Sequence, residues 1–323
     1  MKAVPRLRFA HLPTPIEPLP RLSAFLGGPR LFMKRDDQTG LALGGNKTRK
    51  LEFLVADALA KGAKTLVSAG ALQSNHCRQT AAAAARFGLD CVLVLNGDGS
   101  GAPTGNYLLD VLFGARVVTV ADRKDRDRVF KETFDEVAAS GGLPYLVPYG
   151  GSSPVGALGY AFAVQEFMGQ GLEADYMVFG TSSGGTHAGI ALGQRLFGYG
   201  GTALGISIDE PASALKAHVS ALASEASELL GPRIDFSPDD ILADDSYCEA
   251  GYGVLTGLER EAVRLFAKYE GALLDPVYTG RAAGGLVSLI RDGRFKPDET
   301  VVFWNTGGQP ALFAEAYQTS MLG

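Results

Sequence analysis

Residues 44–52, GGNKTRKLE, are the stretch around which the rest of this 323-residue sequence can be interpreted. A helix is predicted after the two glycines, because apolar residues recur at helical spacing at Leu51, Leu54, Val55, Ala58 and Leu59. Lys47 therefore lies where a loop becomes a helix, and the positive end of the helix dipole disfavours an ammonium ion there. Burial would lower the pKa of the amine further and make it a nucleophile that condenses with aldehydes. The alternative is a surface lysine in a basic first helical turn.

Composition narrows the class of protein. A net charge of -5, with no basic block, argues against binding to nucleic acid or to an anionic membrane. The three cysteines form an odd set without framework spacing, which is typical of a reducing compartment. The first residues lack the apolar core of a signal peptide, so we expect a cytoplasmic protein.

Helices and strands are predicted to alternate from residue 48 onward. A first series places strands at 65–68, 91–95, 116–120 and 145–147, with helices between them, and a breaker cluster follows at 148–154. A second series places strands at 176–180, 202–208 and 300–305, and residues 306–308 are expected to open a last helix. Residues 1–43 read as a proline-rich extended arm with one strand at 30–34. The pattern predicts an α/β fold with mostly parallel sheets in two domains.

A glycine- and hydroxyl-rich loop follows the strand predicted at 176–180. It consists of Thr181, Ser182, Ser183, Gly184, Gly185 and Thr186. Small residues at a helix N-terminus expose backbone N–H groups, so the loop is a candidate anion site, most naturally for a phosphate. It lacks the lysine of a Walker loop and is not a dinucleotide fingerprint. A tight turn without a ligand is the alternative.

A second loop of this kind contains Gln73, Ser74, Asn75 and His76. Its backbone amides and hydroxyl could bind a carboxylate, although Ser74 or Asn75 could simply cap the following helix. No other histidine, cysteine or carboxylate lies at metal-ligand spacing from His76, so no metal site is expected.

Two tyrosines and a threonine complete the set of candidate residues. Tyr278 lies in the loop DPVYTG, Tyr252 is flanked by glycines, and Thr306 follows the last predicted strand. An ordinary half-buried loop aromatic is the alternative for each tyrosine. Ligands of open α/β sheets bind beyond the carboxyl ends of the strands, so these loops could converge on one cleft. A reactive lysine and a phosphate site, without a metal or dinucleotide motif, point to pyridoxal phosphate.

With these stretches taken together, the chain resembles the fold-type-II pyridoxal-phosphate enzymes, in the branch that holds 1-aminocyclopropane-1-carboxylate deaminase and D-cysteine desulfhydrase. The resemblance covers nearly the whole chain, and its motifs are GGNKTRKLEF at 44–53, QSNHCRQ at 73–79, THAG at 186–189, GYG at 251–253, DPVYTG at 275–280 and TGGQPALF at 306–313. It implies a fold like that of the tryptophan synthase β subunit. Residues 1–50 and 155–323 would form a large cofactor domain and residues 51–154 a small mobile domain, and the protein would be a homodimer.

The resemblance also implies roles for the candidate residues. Lys47 would bind the cofactor aldehyde covalently, Asn75 would hold the ring oxygen, and residues 181–186 would bind the phosphate with help from Lys50. Gln73, Ser74, Asn75 and His76 would bind the carboxylate of an amino acid substrate. Tyr252 and Tyr278 would flank that substrate and act with Lys47 and Ser74 in catalysis.

One position separates the branches of this family. The deaminases carry an acidic residue directly after the DPVY tyrosine, whereas this chain has Thr279, and Thr306 resembles a hydroxyl partner for the ring nitrogen. A hydroxyl makes the ring a weaker electron sink, which favours β-elimination over cyclopropane opening. We therefore expect loss of sulfide from D-cysteine, with Lys47 as the base that removes the α-proton. Loss of sulfite from L-cysteate is the first alternative, cyclopropane opening is a weaker one, and a non-catalytic ligand-binding module is the alternative outside enzymes.

Overall fold

A computed structural model describes residues 1–322 of the chain. The helices are α1 (Pro20–Leu26), α2 (Asn46–Ala60), α3 (Asn75–Phe87), α4 (Gly105–Leu112), α5 (Arg126–Ala139), α6 (Pro154–Gly169), α7 (Gly185–Phe197), α8 (Ala212–Glu228), α9 (Gly257–Glu270), α10 (Thr279–Arg291) and α11 (Glu315–Leu322). The strands are β1 (Ile16–Pro18), β2 (Arg30–Arg35), β3 (Thr65–Ala71), β4 (Asp90–Asn96), β5 (Arg116–Val120), β6 (Pro144–Leu146), β7 (Tyr176–Thr181), β8 (Thr202–Ser207), β9 (Leu242–Asp244) and β10 (Thr300–Asn305).

The strands form two separate sheets. The six-stranded sheet has the order β1-β2-β10-β7-β8-β9 and is parallel except for β1, which pairs antiparallel with β2. The four-stranded sheet has the order β5-β4-β3-β6 and is parallel throughout. Helices connect the parallel strands, as the geometry of crossover connections requires. The predicted α/β fold with two mostly parallel sheets is confirmed.

Helix α2 lies between the two sheets and carries Lys47 in its first turn. Leu51 and Leu54 pack into the core of the four-stranded sheet, together with the alanine-rich face of α3. Phe53 packs into a different core that is shared with α6, α7 and α8. The same helix therefore belongs to the packing of both layers. The division into a large domain and a small mobile domain at residues 50 and 154 stays a prediction.

A buried ion network fixes the start of α2. The Arg49 guanidinium donates to both oxygens of Asp36 at 2.8 Å and to both oxygens of Glu166 at 2.9 Å. Glu166, on α6, also accepts a 2.6 Å hydrogen bond from Lys34 of β2. Because each buried charge has an opposite partner, the network joins α2, α6 and the six-stranded sheet without leaving a charge unpaired. Lys47 is thereby tied to the large sheet.

The structure corrects the sequence interpretation at three places. Residues 1–43 are not only an extended arm, since they contain β1 and the short helix α1, which begins at Pro20 where proline is tolerated. The strand β9 at the edge of the large sheet was not predicted. Residues 306–308 do not open a helix: Gly308 has a φ of +108°, a short 3-10 turn covers Gln309–Phe313, and α11 begins only at Glu315. Positive φ at Gly308 is incompatible with helix initiation at that point.

Candidate active site

A cleft opens between the two sheets, at the carboxyl ends of β3, β7 and β10. It is lined by Asn46, Lys47, Ser74, Asn75, His76, Tyr149, Gly150, Gly180, Thr181, Ser182, Ser183, Gly184, Thr186, Tyr278, Thr306 and Gly307. Loops that are far apart in the sequence therefore meet at one place, as expected for ligand sites of open α/β sheets.

Lys47 projects into this cleft from the first turn of α2. Its Nζ donates to Asn46 Oδ1 at 3.0 Å and lies 5.8 Å from the centre of the Tyr278 ring. Burial lowers the pKa of the amine to about 8; Asp275 opposes this shift and Arg78 adds to it. A substantial fraction of the amine is therefore neutral near physiological pH and available as a nucleophile or base.

The loop at residues 181–186 forms an anion site at the N-terminus of α7. Gly184 has a φ of +75° and precedes the first helical residue, so the N–H groups of the first turn point toward the cleft. The Ser183 hydroxyl lies 2.9 Å from the Ser152 hydroxyl, which also accepts from the Gly185 N–H at 3.1 Å. The helix dipole adds positive potential, so the geometry suits a phosphate.

The N-terminus of α3 forms the opposite wall. Ser74 caps the helix by accepting from the Cys77 N–H at 3.2 Å, which leaves its own hydroxyl proton free to donate. His76 Nε2 lies 2.9 Å from the Ser68 hydroxyl. That hydroxyl donates to the Val147 carbonyl at 2.9 Å, so it accepts from Nε2–H, and the imidazole is neutral with Nδ1 unprotonated. Burial and the nearby Lys47 and Lys50 hold the pKa of His76 well below its usual value.

The tyrosines form a hydrogen-bonded pair beside Lys47. The hydroxyls of Tyr252 and Tyr278 lie 2.9 Å apart, and burial raises the pKa of both. Behind them, the Asp275 carboxylate accepts from the backbone N–H groups of Val277, Tyr278 and Thr279. The carboxylate thus satisfies the orphan donors at the start of α10 and fixes the backbone that displays Tyr278.

Comparison with known proteins identifies the family. A family model described as pyridoxal-phosphate dependent enzyme matches residues 7–307. The chain belongs to this family. Among relatives, the D-cysteine desulfhydrase of Salmonella typhimurium (strain LT2) is 44% identical over 318 residues, covering 96% of each chain, and that of Salmonella typhi matches equally.

Solved structures agree with the fold of this pyridoxal-phosphate enzyme. A crystal structure of an ACC deaminase homologue matches with a TM-score of 0.90 and 38% identity, over 99% of this chain and 96% of that one. A fungal L-serine ammonia-lyase from Rhizomucor miehei matches with a TM-score of 0.71 at 16% identity, over 98% and 99% of the two chains, and supports the fold alone. The expected family and cofactor are confirmed.

The cleft of this pyridoxal-phosphate enzyme fits the cofactor on its own chemistry. A lysine with a lowered pKa suits an aldehyde, and a helix N-terminus with a left-handed glycine suits a phosphate. In addition, the buried Thr181 hydroxyl lines the cleft and has no hydrogen-bond partner within residues 1–322. An unsatisfied hydroxyl of this kind is expected where a polar ligand binds.

Five predicted site residues of the enzyme do not line the cleft. Tyr252 reaches it through Tyr278, Gly185 follows Gly184 inside α7, and Lys50 donates to the carbonyl of the lining residue Gly150 at 3.0 Å. The Thr279 hydroxyl is buried and lies 2.7 Å from Asp275 Oδ1. Gln73 turns its side chain to α4, where its amide donates to the Thr104 carbonyl at 2.9 Å.

Other lining residues were missed by sequence reasoning. Asn46 precedes the lysine and links it to the anion site, because its amide donates to the Thr186 hydroxyl at 3.0 Å. Tyr149 falls in the breaker cluster predicted at 148–154, although Tyr149-Gly150-Gly151 places a tyrosine beside glycines just as Tyr252 is placed. That shared pattern was the available signal. Within residues 1–322, no helix is long and apolar enough to cross a bilayer, and no group of three or more acidic, histidine or cysteine side chains could hold a metal ion.

Proposed function

We propose that this protein is a pyridoxal-phosphate dependent D-cysteine desulfhydrase. The reaction converts D-cysteine and water to pyruvate, sulfide and ammonia. The observation that carries the proposal is the 44% identity, over 96% of both chains, to proteins named D-cysteine desulfhydrase.

The charge of the cleft supports a neutral thiol side chain on the substrate. Among the residues that line it, Lys47 is the only cation and none is a carboxylate. A sulfonate leaving group would need a cationic contact of its own to offset its desolvation. The lining therefore favours cysteine over cysteate.

The threonines support elimination over ring opening. Thr306 lines the cleft and Thr279 lies directly after Tyr278, where the deaminases would have an acidic residue. When bound, the cofactor supplies an electron sink for the substrate α-carbon. A hydroxyl rather than a carboxylate near the ring makes that sink weaker, which suffices for expelling sulfide.

The residues of the chain supply binding and proton transfer. The substrate carboxylate is bound by the free Ser74 hydroxyl and by the N–H groups at the start of α3, whose dipole favours an anion. Lys47 Nζ would take the α-proton, which its lowered pKa permits at neutral pH. Tyr278, held by Tyr252, lies against this amine and excludes water from it.

A substrate panel tests the reaction. Purified enzyme loaded with pyridoxal phosphate is assayed for pyruvate from D-cysteine, L-cysteine and L-cysteate, and for 2-oxobutyrate from 1-aminocyclopropane-1-carboxylate. We expect kcat/KM to be highest for D-cysteine, with sulfide released in equal amount to pyruvate. Faster release of sulfite from L-cysteate, or turnover of the cyclopropane alone, would overturn the proposal.

A lysine exchange tests the assignment of Lys47. Lys47→Ala is expected to lose the visible band of the bound cofactor and at least about 1,000-fold in kcat, because it removes both the attachment point and the base. Lys61→Ala is the matched control, since Lys61 ends the same helix and is exposed. Retention of the band and of turnover by Lys47→Ala would refute the assignment.

We also propose that the enzyme is a cytoplasmic homodimer. Leu108, Val111 and Leu112 form an exposed apolar stripe on α4, with Phe313 of the adjoining turn also 63% exposed. Such a patch is typical of a protein–protein interface. Cys77, Cys91 and Cys248 are all free thiols, which suits a reducing compartment. A solution mass near twice 33.9 kDa is expected by light scattering.

A further inference from the structure

Asn106, at the start of α4, is a buried asparagine that contacts the cofactor-facing residue Asn75 without lining the cleft itself. It is 0% exposed, and its Nδ2 lies 2.8 Å from Asn75 Oδ1 and 2.9 Å from the Gln73 carbonyl. Its backbone N–H donates to Gln73 Oε1 at 2.8 Å. Two hydrogen bonds between Asn106 and Gln73 therefore join the start of α4 to the loop before α3.

These contacts fix the orientation of both side-chain amides. A backbone carbonyl can only accept, so the Asn106 atom beside the Gln73 carbonyl must be the NH₂ group. That NH₂ group also faces Asn75, so the Asn75 atom it meets must be the carbonyl oxygen. The Asn75 NH₂ group is left as the free end of the amide, and it makes no hydrogen bond within residues 1–322.

The free end of Asn75 lies at the cleft. Asn75 is a lining residue, and its Nδ2 packs against Gly308, where an added Cβ would lie only 2.4 Å away. Because residue 308 is a glycine and has no Cβ, there is space for the Asn75 NH₂ group at this position. The Asn75 NH₂ group therefore faces the cleft, and the hydrogen bond from Asn106 to the other end of the amide fixes its direction.

We propose that Asn106 is a positioning residue that orients Asn75 so that its NH₂ group donates to the ring oxygen of pyridoxal phosphate. This deepens the proposed function, because it rests on the assignment of Asn75 to the ring oxygen. Without Asn106, the Asn75 amide can rotate and present its carbonyl oxygen to an electron-rich atom. The ring oxygen then becomes a stronger base.

The test compares Asn106→Leu with wild type in two measurements that do not depend on turnover. Loss of one oriented donor is expected to weaken cofactor binding to the apoenzyme about tenfold. The pH midpoint of the visible cofactor band is expected to rise by about half a unit or more, since the ring oxygen has lost a donor. Asn96→Leu is the matched control, because the buried Asn96 amide has no hydrogen-bond partner within residues 1–322, and it should leave the midpoint unchanged.

A double-mutant cycle separates positioning from a general loss of stability. In an Asn75→Ala background, Asn106→Leu should cause no further change of the pH midpoint, because there is no amide left to orient. An additive shift in the double variant, or an unchanged midpoint in Asn106→Leu or in Asn75→Ala alone, would overturn the proposal. If Asn106→Leu does not fold, Asn106→Ala is carried through the same cycle with the same criteria.

The outcome is independent of the substrate assignment. The band and its midpoint are measured without substrate, so a wild-type enzyme that binds the cofactor but ignores D-cysteine would refute the desulfhydrase proposal alone. A normal desulfhydrase whose band is insensitive to Asn106 would refute the positioning role alone.

Discussion

In the mechanism proposed above, reactivity depends on the protonation of a single amine, that of Lys47. Lys47 lies at the N-terminus of a helix and beside Arg78, both of which oppose its positive charge, while burial supplies the largest effect. Asp275 partly offsets these effects by favouring the charged amine. Its carboxylate, however, already accepts hydrogen bonds from backbone N–H groups at the start of α10. The lysine therefore lacks a dedicated counter-ion and loses its proton early.

A pH dependence follows for the apoenzyme. With a pKa of about 8, the neutral fraction of Lys47 rises about fivefold from pH 7 to 8 and less than about twofold from pH 8 to 9. The rate at which pyridoxal phosphate attaches should follow this curve and level off above pH 9. Stopped-flow absorbance of apoenzyme mixed with cofactor measures it. A rate that keeps rising tenfold per pH unit through pH 9.5 would indicate an ordinary lysine.

At the residue scale, motif residues were easier to predict than their partners. The GGNKTRKLE stretch identified Lys47 because glycines, a helix start and a lysine coincide locally. Asn46 and Asn106 gave no such signal, because their importance comes from contacts across 140 and 31 positions, to Thr186 and Asn75 respectively. Single-sequence patterns do not carry long-range pairings of this kind.

At the scale of elements, α9 and α10 contain two ion pairs that differ mainly in burial. Arg281 pairs with Glu259 at 2.6 Å, and both side chains are almost fully buried. Arg281 also donates to the carbonyls of Gly251 and Val254, which hold the loop carrying Tyr252. Arg291 pairs with Glu261 at the same distance, but both are nearly half exposed. The buried pair holds the loop that carries Tyr252, and the other pair lies in solvent.

The two pairs should respond differently to the same substitution. Arg281→Met is expected to destabilise the protein by about 3 kcal/mol, because the buried Glu259 carboxylate loses its cationic partner and keeps only its hydrogen bonds from Thr256. It is also expected to raise KM, because the loop that carries Tyr252 loses the hydrogen bonds from Arg281. Arg291→Met should change stability by less than about 0.5 kcal/mol. Urea denaturation and steady-state kinetics measure both effects. Equal losses of unfolding free energy in the two variants would show that burial does not decide how much these ion pairs contribute to stability.

A second element-scale prediction concerns the contact between α6 and α2. A Cβ at Gly159 would lie 2.5 Å from the Arg49 carbonyl oxygen, so the two helices approach closely at the turn after Lys47. Gly159→Ala should destabilise the protein by about 1–3 kcal/mol and lower cofactor affinity, because α2 must shift. Gly169→Ala, at the end of the same helix with open space around it, should be neutral or slightly stabilising. Thermal denaturation with and without cofactor distinguishes the two variants. If Gly159→Ala had no effect on stability, the close approach of α6 to α2 at Arg49 would be contradicted.

Elements were predictable where the local pattern was long and regular. Apart from the unpredicted edge strand β9, the helices and longer strands between residues 65 and 305 have the expected type, with ends shifted by a few residues. The failures lie where proline or glycine allows several conformations, as in α1 behind Pro20 and the turn after Gly308. There the neighbouring strands and the cleft, rather than local propensity, select the backbone.

At the scale of the whole molecule, the arrangement of the sheets could not be derived from residue patterns. The pattern indicated parallel strands but not that the early strand β2 pairs with the last strand β10. Such pairing is fixed by the total packing of both sheets and their helices. The domain division and any mobility of the smaller part remain predictions for the same reason.

The proposed dimer gives a prediction at this scale. Leu112, on the apolar stripe of α4, is 68% exposed, and Leu112→Asp places a charge in that patch. We expect its dimer dissociation constant to rise by at least about tenfold, because a buried unpaired charge weakens an apolar contact. Leu242→Asp is the control, because Leu242 is an exposed leucine on the edge strand β9 of the six-stranded sheet, outside the α4 stripe. Sedimentation at several concentrations would reveal a dimer indifferent to Leu112, which would move the interface elsewhere.

The pairing of β2 with β10 has a consequence for biosynthesis. The strands of the smaller sheet all lie between residues 65 and 146, so they can assemble while translation continues. In the larger sheet, β2 pairs in parallel with β10, Thr300–Asn305. That strand is among the last segments of the chain to leave the ribosome. A nascent chain stalled before residue 300 should therefore show a protease-resistant fragment from the smaller sheet, with Lys47 still unable to capture a vitamin B6 aldehyde until the final strand arrives.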